Sequence, residues 1–313
     1  MLKIYNTDSQ GKLQEIPAFE KGCWVNLIRP SEQEIRQVVQ QLNINTNFIR
    51  DALDEEERSH IEKEENQILI IVDIPVVNQD EDRQVETYDT LPLGMIITEN
   101  AFITVCLREN PILERFASQE VRQFFTYKKT RFVLQILYVI ATYYLDYLKR
   151  INRTTDQIEK ELHQSLKNQE LFSLLALEKS LVYFTTSLKA NNLMTQKLLK
   201  GPYMKMYPDD QDLLEDVIIE NKQAIEMAEI YSTILSGMMD AFASVISNNL
   251  NNVMKVLTSI TIILSVPIMV ASLYGMNVSL PGQDYPHAFT IIMLVSLVLS
   301  SLTAIIFWKK RYF

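Results

Sequence analysis

Glycine is scarce, with 7 residues in 313. Neither a G-x-G-x-x-G nor a G-x-x-x-x-G-K can be drawn from so few, so a dinucleotide fingerprint and a phosphate-cradling loop are both excluded. Long helices become the leading architecture, since few positions are free to adopt left-handed turns. Cys23 and Cys106 are the only cysteines. They form neither a C-x-x-C nor a disulfide framework, which suits a reducing compartment. His60, His163 and His287 share no i, i+4 spacing and there is no H-E-x-x-H, so no dedicated zinc site is read. No nucleophile–base pair or metal triad can be assembled either, and the chain is not read as an enzyme. Basic residues are outnumbered, 30 Lys+Arg against 39 Asp+Glu. That balance argues against nucleic acid as a partner and for cations.

The charges are unevenly spread. From Val253 onward the only charged residues are Lys255, Asp284, Lys309, Lys310 and Arg311, which leaves residues 1–252 at a net charge of -12. The tail holds two charge-free apolar runs, 19 residues from Val256 to Tyr274 and 21 from Ala288 to Trp308. A hydrocarbon core about 30 Å thick needs around 20 helical residues, so each run can span a bilayer if Pro267 is tolerated inside the first. The rival reading is a buried core hairpin. Lys255 precedes the first run, Lys309, Lys310 and Arg311 follow the second, and residues 275–287 contain no Lys or Arg. By the positive-inside rule both termini are expected in the cytoplasm of a multi-pass inner-membrane protein. Trp308, Tyr312 and Phe313 fit an interfacial aromatic anchor, and the opening MLKIYNTDSQ has no apolar stretch of a signal peptide.

Along the rest of the chain, residues 1 to about 125 read as mixed α/β. Gln67–Val77 and Leu91–Leu107 are β-branched runs, the second broken by a turn at Glu99-Asn100, and Ser31–Leu42 has the N-cap and Glu of a helix start. The acidic stretch Asp51–Glu57 and the loop Asn78–Glu86 read as solvated surface, with metal binding as the alternative. Thr130–Lys200 lacks breakers and predicts two long antiparallel helices turning near Asn168. After Pro208 the positions Leu214, Val217, Asn221, Ala224, Ala228, Tyr231, Leu235, Met238, Phe242 and Val245 follow a heptad seam. If that helix continues from Asp212 through Leu273 it is roughly 90 Å long and passes from cytoplasm into membrane.

The first apolar run ends in Tyr274, Gly275, Met276 and Asn277. A G-M-N alone is weak; at the outer end of the first of two C-terminal spans, behind a long heptad helix, it is specific. At this point the chain resembles the CorA family of magnesium channels, whose signature is Y-G-M-N. Residues 251–258 (NNVMKVLT) and Ser236-Gly237 are further matching stretches, and the likeness covers nearly the whole chain. Mg²⁺ holds its waters in tight octahedral geometry, so a pore does better to bind the hydrated ion. Asn277 amide oxygens repeated around an axis could accept hydrogen bonds from those waters, with Gly275 expected to permit a tight bend. A simple helix cap is the alternative. Asn251, Met254, Thr258, Thr261, Ser265, Ile268 and Ser272 recur at spacings of 3 and 4 as a candidate pore lining, or else a close-packing interface for the Thr and Ser members. The resemblance places Asn251, Met254 and Leu257 at the cytosolic mouth, where apolar rings gate by dewetting.

The resulting expectation is an α+β membrane protein. It has a cytosolic α/β domain over 1–128, long cytosolic helices including a stalk over 129–252, a first transmembrane helix over 253–274 and an extracellular loop over 275–287. A second transmembrane helix over 288–308 and a basic cytosolic tail over 309–313 complete it. Two spans cannot enclose a channel for a hydrated ion, so an oligomer is required, and the resemblance implies a funnel-shaped homopentamer. It implies Mg²⁺ as both cargo and regulator, with Co²⁺ and Ni²⁺ as further candidate ions. Asp216 matches the family's acidic stalk position; Glu114 or Glu109 would supply its partner across subunits. Lys309, Lys310 and Arg311 would ring the inner mouth or touch anionic lipid. The family often carries a Glu soon after the motif where this chain has Val278-Ser279-Leu280-Pro281, which leaves the role of Asp284 open. The alternatives are a zinc transporter of the related ZntB type and a membrane-anchored scaffold that conducts nothing.

Overall fold

A computed structural model describes residues 1–8, 10–78, 85–164, 168–278, 280–282 and 285–310, with the backbone alone at 163, 164 and 168. Ser279, Asp284, Arg311, Tyr312, Phe313 and the acidic loop's residues 79–84 lie outside the described residues, as does the side chain of His163. The chain divides into two compact units, Met1–Gly237 and Met238–Phe313.

In the first unit, strands β1 (Leu2–Thr7), β2 (Leu13–Glu15), β3 (Cys23–Ile28), β4 (His60–Glu64), β5 (Gln67–Asn78), β6 (Thr87–Ile97) and β7 (Ala101–Cys106) form one sheet. Its order is β2-β1-β3-β7-β6-β5-β4, with β3 and β7 the parallel pair. The turn expected at Glu99-Asn100 joins β6 to β7. All six residues of β7 are buried, as expected of a strand covered on both faces. Because side chains alternate along a strand, Val25 and Ile103 face one core and Trp24 and Phe102 the other. The first core includes α1 (Glu32–Leu42) and α2 (Thr46–Asp51) through Val38 and Phe48. α1 starts where Ser31 accepts from the Glu34 backbone amide and Glu34 reciprocates, a complete capping box. The second core is aromatic. It gathers Phe116 of α3 (Pro111–Ala117), Phe124, and Phe132 of α4 (Lys129–Gln164) around Trp24 and Phe102.

α4 and α5 (Asn168–Lys200) are the two long helices expected on either side of a turn near Asn168. α5 is long and apolar enough to cross a membrane, yet 39% of its most apolar stretch is buried inside the protein, against 6% for each of the two helices that follow. Leu174, Leu177, Leu181, Phe184 and Leu188 are its buried face. It also finishes the sheet. β4 ends opposite Ile71, so the next outward-pointing backbone groups of β5, at Asp73, lack a strand partner. Asn191 of α5 takes both: its Oδ1 accepts from the Asp73 amide at 3.0 Å and its Nδ2 donates to the Asp73 carbonyl at 2.8 Å.

Burial pushes the Asp73 carboxyl above the usual carboxylate range, only partly offset by hydroxyl donors from Ser187 and Ser59. A raised acid in the folded state favours folding below the unfolded value, near pH 3.9, and loses that contribution as pH rises through the folded value. Asp73→Asn therefore raises the unfolding midpoint at neutral pH, and the gain vanishes on acidification; a thermal unfolding series over pH checks both.

α6 (Pro208–Tyr274) is one helix of 67 residues with Pro267 inside it, starting slightly before the expected Asp212. The heptad seam is buried at Leu214, Val217, Asn221, Ala224, Ala228, Leu235 and Phe242, half-buried at Tyr231 and Met238, and exposed at Val245. Asn221 Nδ2 donates to the Leu188 carbonyl at 3.1 Å, and Ser236 donates to Glu178 at 2.6 Å, which seats the stalk on α5. In the second unit α6 runs on to Tyr274 and is followed by α7 (Ala288–Lys309).

Candidate ion-conduction site

Two apolar helices in a bilayer need one face each for one another, and small residues let the backbones approach. On α6 that face is Ser259, buried, with Ile263, Val266, Pro267 and Val270 half-buried; on α7 it is Ser296, buried, with Ile292 and Ser300 half-buried. Pro267 cannot donate to the Ile263 carbonyl four residues earlier. Ser300 Oγ donates to that carbonyl from α7 at 3.4 Å. Sequence reading treated Pro267 only as an interruption to be tolerated and passed over Ser300. Counting back four residues from the proline, and looking for a hydroxyl on the second span, is the signal that finds the pair.

The expected lining residues Asn251, Met254, Leu257, Thr258, Thr261, Ser265, Ile268 and Ser272 are all exposed in the single chain. At 3.6 residues per turn, Thr261, Ser265, Ile268 and Ser272 lie on the side of α6 away from α7. Thr261 and Ser265 turn their hydroxyls back on the helix, to the carbonyls of Leu257 and Thr261. Such back-bonding hides the polar hydrogen and leaves the oxygen presented outward. Asn251, Met254 and Thr258 edge an open groove of about 370 Å³ that also takes in Lys255 and Phe307.

α6 ends at Tyr274. The Gly275 amide donates to the Ala271 carbonyl at 2.9 Å and the Met276 amide to the Leu273 carbonyl at 3.4 Å, tightening the last turn. Tyr274 Oη donates to the Pro281 carbonyl at 3.3 Å and pins the following loop. Gly275 stands in the turn that closes α6. Its φ is not in the left-handed region, where Gly282 lies at 85°. What Gly275 gives is space: a Cβ there would stand 3.2 Å from the Ala271 carbonyl oxygen. The Asn277 side chain is exposed and makes no hydrogen bond among the described residues.

In the first unit Asp216 on α6, Glu114 on α3 and Glu109 before it are exposed. Among the described residues no group of three or more His, Cys, Asp and Glu is arranged to hold a metal. A regulatory ion at Asp216 would thus need ligands from another copy or its own waters. Lys309 closes α7 and Lys310 caps it, both exposed.

The family model described as "CorA-like Mg²⁺ transporter protein" matches residues 19–311. A cobalt/magnesium transport protein CorA of Methanocaldococcus jannaschii is 28% identical over 96% of this chain and 95% of its own. The complete structure of the CorA magnesium transporter from that organism superposes with a TM-score of 0.85 at 24% identity, covering 100% of this chain and 99% of the other. The cytoplasmic domain of ZntB from Vibrio parahaemolyticus matches with a TM-score of 0.60 at 14% identity over 80% of this chain and 97% of its own, a likeness of fold.

Proposed function

The chain belongs to the CorA-like Mg²⁺ transporter family, and on that premise we propose that copies of it assemble around α6 and pass hydrated Mg²⁺ through a ring of Asn277 amides. Co²⁺ is a second cargo, as in the name of the curated relative, and Ni²⁺ a third candidate. The observation that carries this reading is the division of α6 into two sides. One side pairs with α7, while Thr261, Ser265, Ile268 and Ser272 lie on the other and are left exposed for other copies.

A pentamer is the proposed assembly, with residues 1–252 and the basic tail in the cytoplasm of an inner membrane and 275–287 outside. Selectivity is assigned to Tyr274, Gly275, Met276 and Asn277. The gate is assigned to Asn251, Met254 and Leu257, with Thr258, Thr261 and Ser265 above them. No carboxylate lies within either span, which fits an ion that keeps its waters. The chain needs no catalytic chemistry: a divalent ion gains about 4.6 kcal/mol per 100 mV of inside-negative potential, at about 2.3 per charge.

Purified protein in sealed liposomes holding a Mg²⁺-sensitive dye tests the reading, with an inside-negative diffusion potential imposed. Influx of Mg²⁺ supports it. No flux of any divalent ion leaves the scaffold reading, and Zn²⁺ flux in preference to Mg²⁺ favours the ZntB-like one.

Regulation follows from charge. Residues 1–252 carry a net -12 per copy, so subunits repel one another unless divalent ions lie between them. Asp216 is the assigned contact for such an ion, with Glu114 or Glu109 of another copy as its partner. Asp216→Ala is expected to raise the luminal Mg²⁺ needed for half-inhibition several-fold in inward-facing liposomes. Inhibition unchanged from the parent chain removes Asp216 from this role.

A further inference from the structure

In hydrocarbon every backbone group must find a partner within the protein, because no water can serve it. Pro267 breaks that rule for α6, and the carbonyl it deprives, that of Ile263, is the one that Ser300 reaches from α7. The coincidence is specific in register. Of the hydroxyls in the two spans, Thr261, Ser265, Ser259 and Thr303 each bond to a carbonyl four residues back on their own helix, whereas Ser300 crosses to the partner helix. Beside this contact an apolar groove of about 760 Å³ runs along the helix pair, bordered by Pro267, Ala271 and Gly275 of α6 and by Phe289, Met293 and Leu297 of α7.

Resting on the conduction reading, we propose that Ser300 is a positioning residue: its hydroxyl ties the proline-weakened turn of the pore helix to the second span and thereby sets the placement of Asn277. The distance suits such control. Asn277 follows Pro267 by ten residues, about 15 Å of helix and turn, so a small change of bend at Pro267 becomes a displacement of the amide ring. Flux through a ring that must match an octahedral water shell is sensitive to such a displacement.

A double-mutant cycle on the full-length protein tests the tie. Parent, Ser300→Ala, Pro267→Ala and the double variant are compared for Mg²⁺ influx in liposomes and for thermal unfolding in detergent, with Ser300→Thr as the hydroxyl-keeping control. Loss of one interhelical bond in a membrane predicts influx lowered roughly three- to ten-fold in Ser300→Ala. Ser300→Thr keeps the parent rate. In Pro267→Ala the restored amide serves Ile263, so adding Ser300→Ala changes neither influx nor midpoint. Equal losses from Ser300→Ala in both backgrounds, or parent-like influx in Ser300→Ala, overturn the proposal. A parent chain that passes no Mg²⁺ overturns the conduction reading instead, and the unfolding cycle then decides whether the tie exists.

Discussion

Replacing Asn277 with alanine is expected to lower Mg²⁺ influx by about a hundred-fold or more while leaving the protein folded. Water polarised by a divalent ion is a strong donor, and a hydrogen bond involving a charged group contributes about 1.5–3 kcal/mol. Each tenfold in rate or affinity corresponds to about 1.4 kcal/mol. In the proposed assembly symmetry repeats the loss in every subunit, so even partial compensation by Met276 carbonyls leaves a deficit of several kcal/mol. Folding is spared because the side chain is exposed and bonded to nothing among the described residues. Dye-loaded liposomes give the rate, and size-exclusion of the solubilised variant gives the assembly. Parent-like influx in the alanine variant would remove the amide ring from the mechanism.

The largest stability effect is expected at Phe132→Ala. The Phe132 ring is fully buried, with centroids 4.4 Å from Phe102 and Phe124 and 5.2 Å from Trp24 and Phe116. Truncating a buried aromatic costs about 3–5 kcal/mol, and this one joins β3, β7, α3 and α4. Trp24 offers a local probe, since its fluorescence reports on the cluster once the other tryptophan, Trp308, is replaced by Phe. Denaturant unfolding followed at Trp24 is expected to shift its midpoint well below the parent's; coincident curves would mean that the cluster relaxes to fill the void.

Local signals in the sequence carried far. The Ser31/Glu34 capping box, the turn at Glu99-Asn100 and the seam from Leu214 to Phe242 all rest on contacts within one or two helical turns, and each stands in the structure where spacing placed it. The sheet's far edge and its central parallel pair were harder. β2 has only three residues, and β3 finds its parallel partner β7 across more than seventy intervening positions, so nothing local announces either. Asp73 sits inside an otherwise apolar run, ILIIVDIPVV, and that lone acid was a visible hint of a polar setting, which Ser187 and Ser59 provide; the Asn191 contact is to its backbone and leaves no such trace. At the candidate site the stripe was read from its period, and the single chain leaves it exposed. Its arrangement around an axis was not legible, because one chain supplies only one wall of the proposed assembly. At Gly275 the sequence shows that a small residue stands at the turn, while only coordinates tell whether space or backbone angle is what it supplies.

α5 carries a membrane-like hydropathy and yet lies against the sheet. Synthesis order resolves the risk. All seven strands precede residue 168 in the chain, so the surface that shelters Leu174, Leu177 and Phe184 is made before they emerge from the ribosome. An insertion machinery that samples greasy segments as they appear thus meets α5 with its docking surface already translated. Exchanging the order of these segments in a permuted gene would be expected to send the wrong helix into the bilayer.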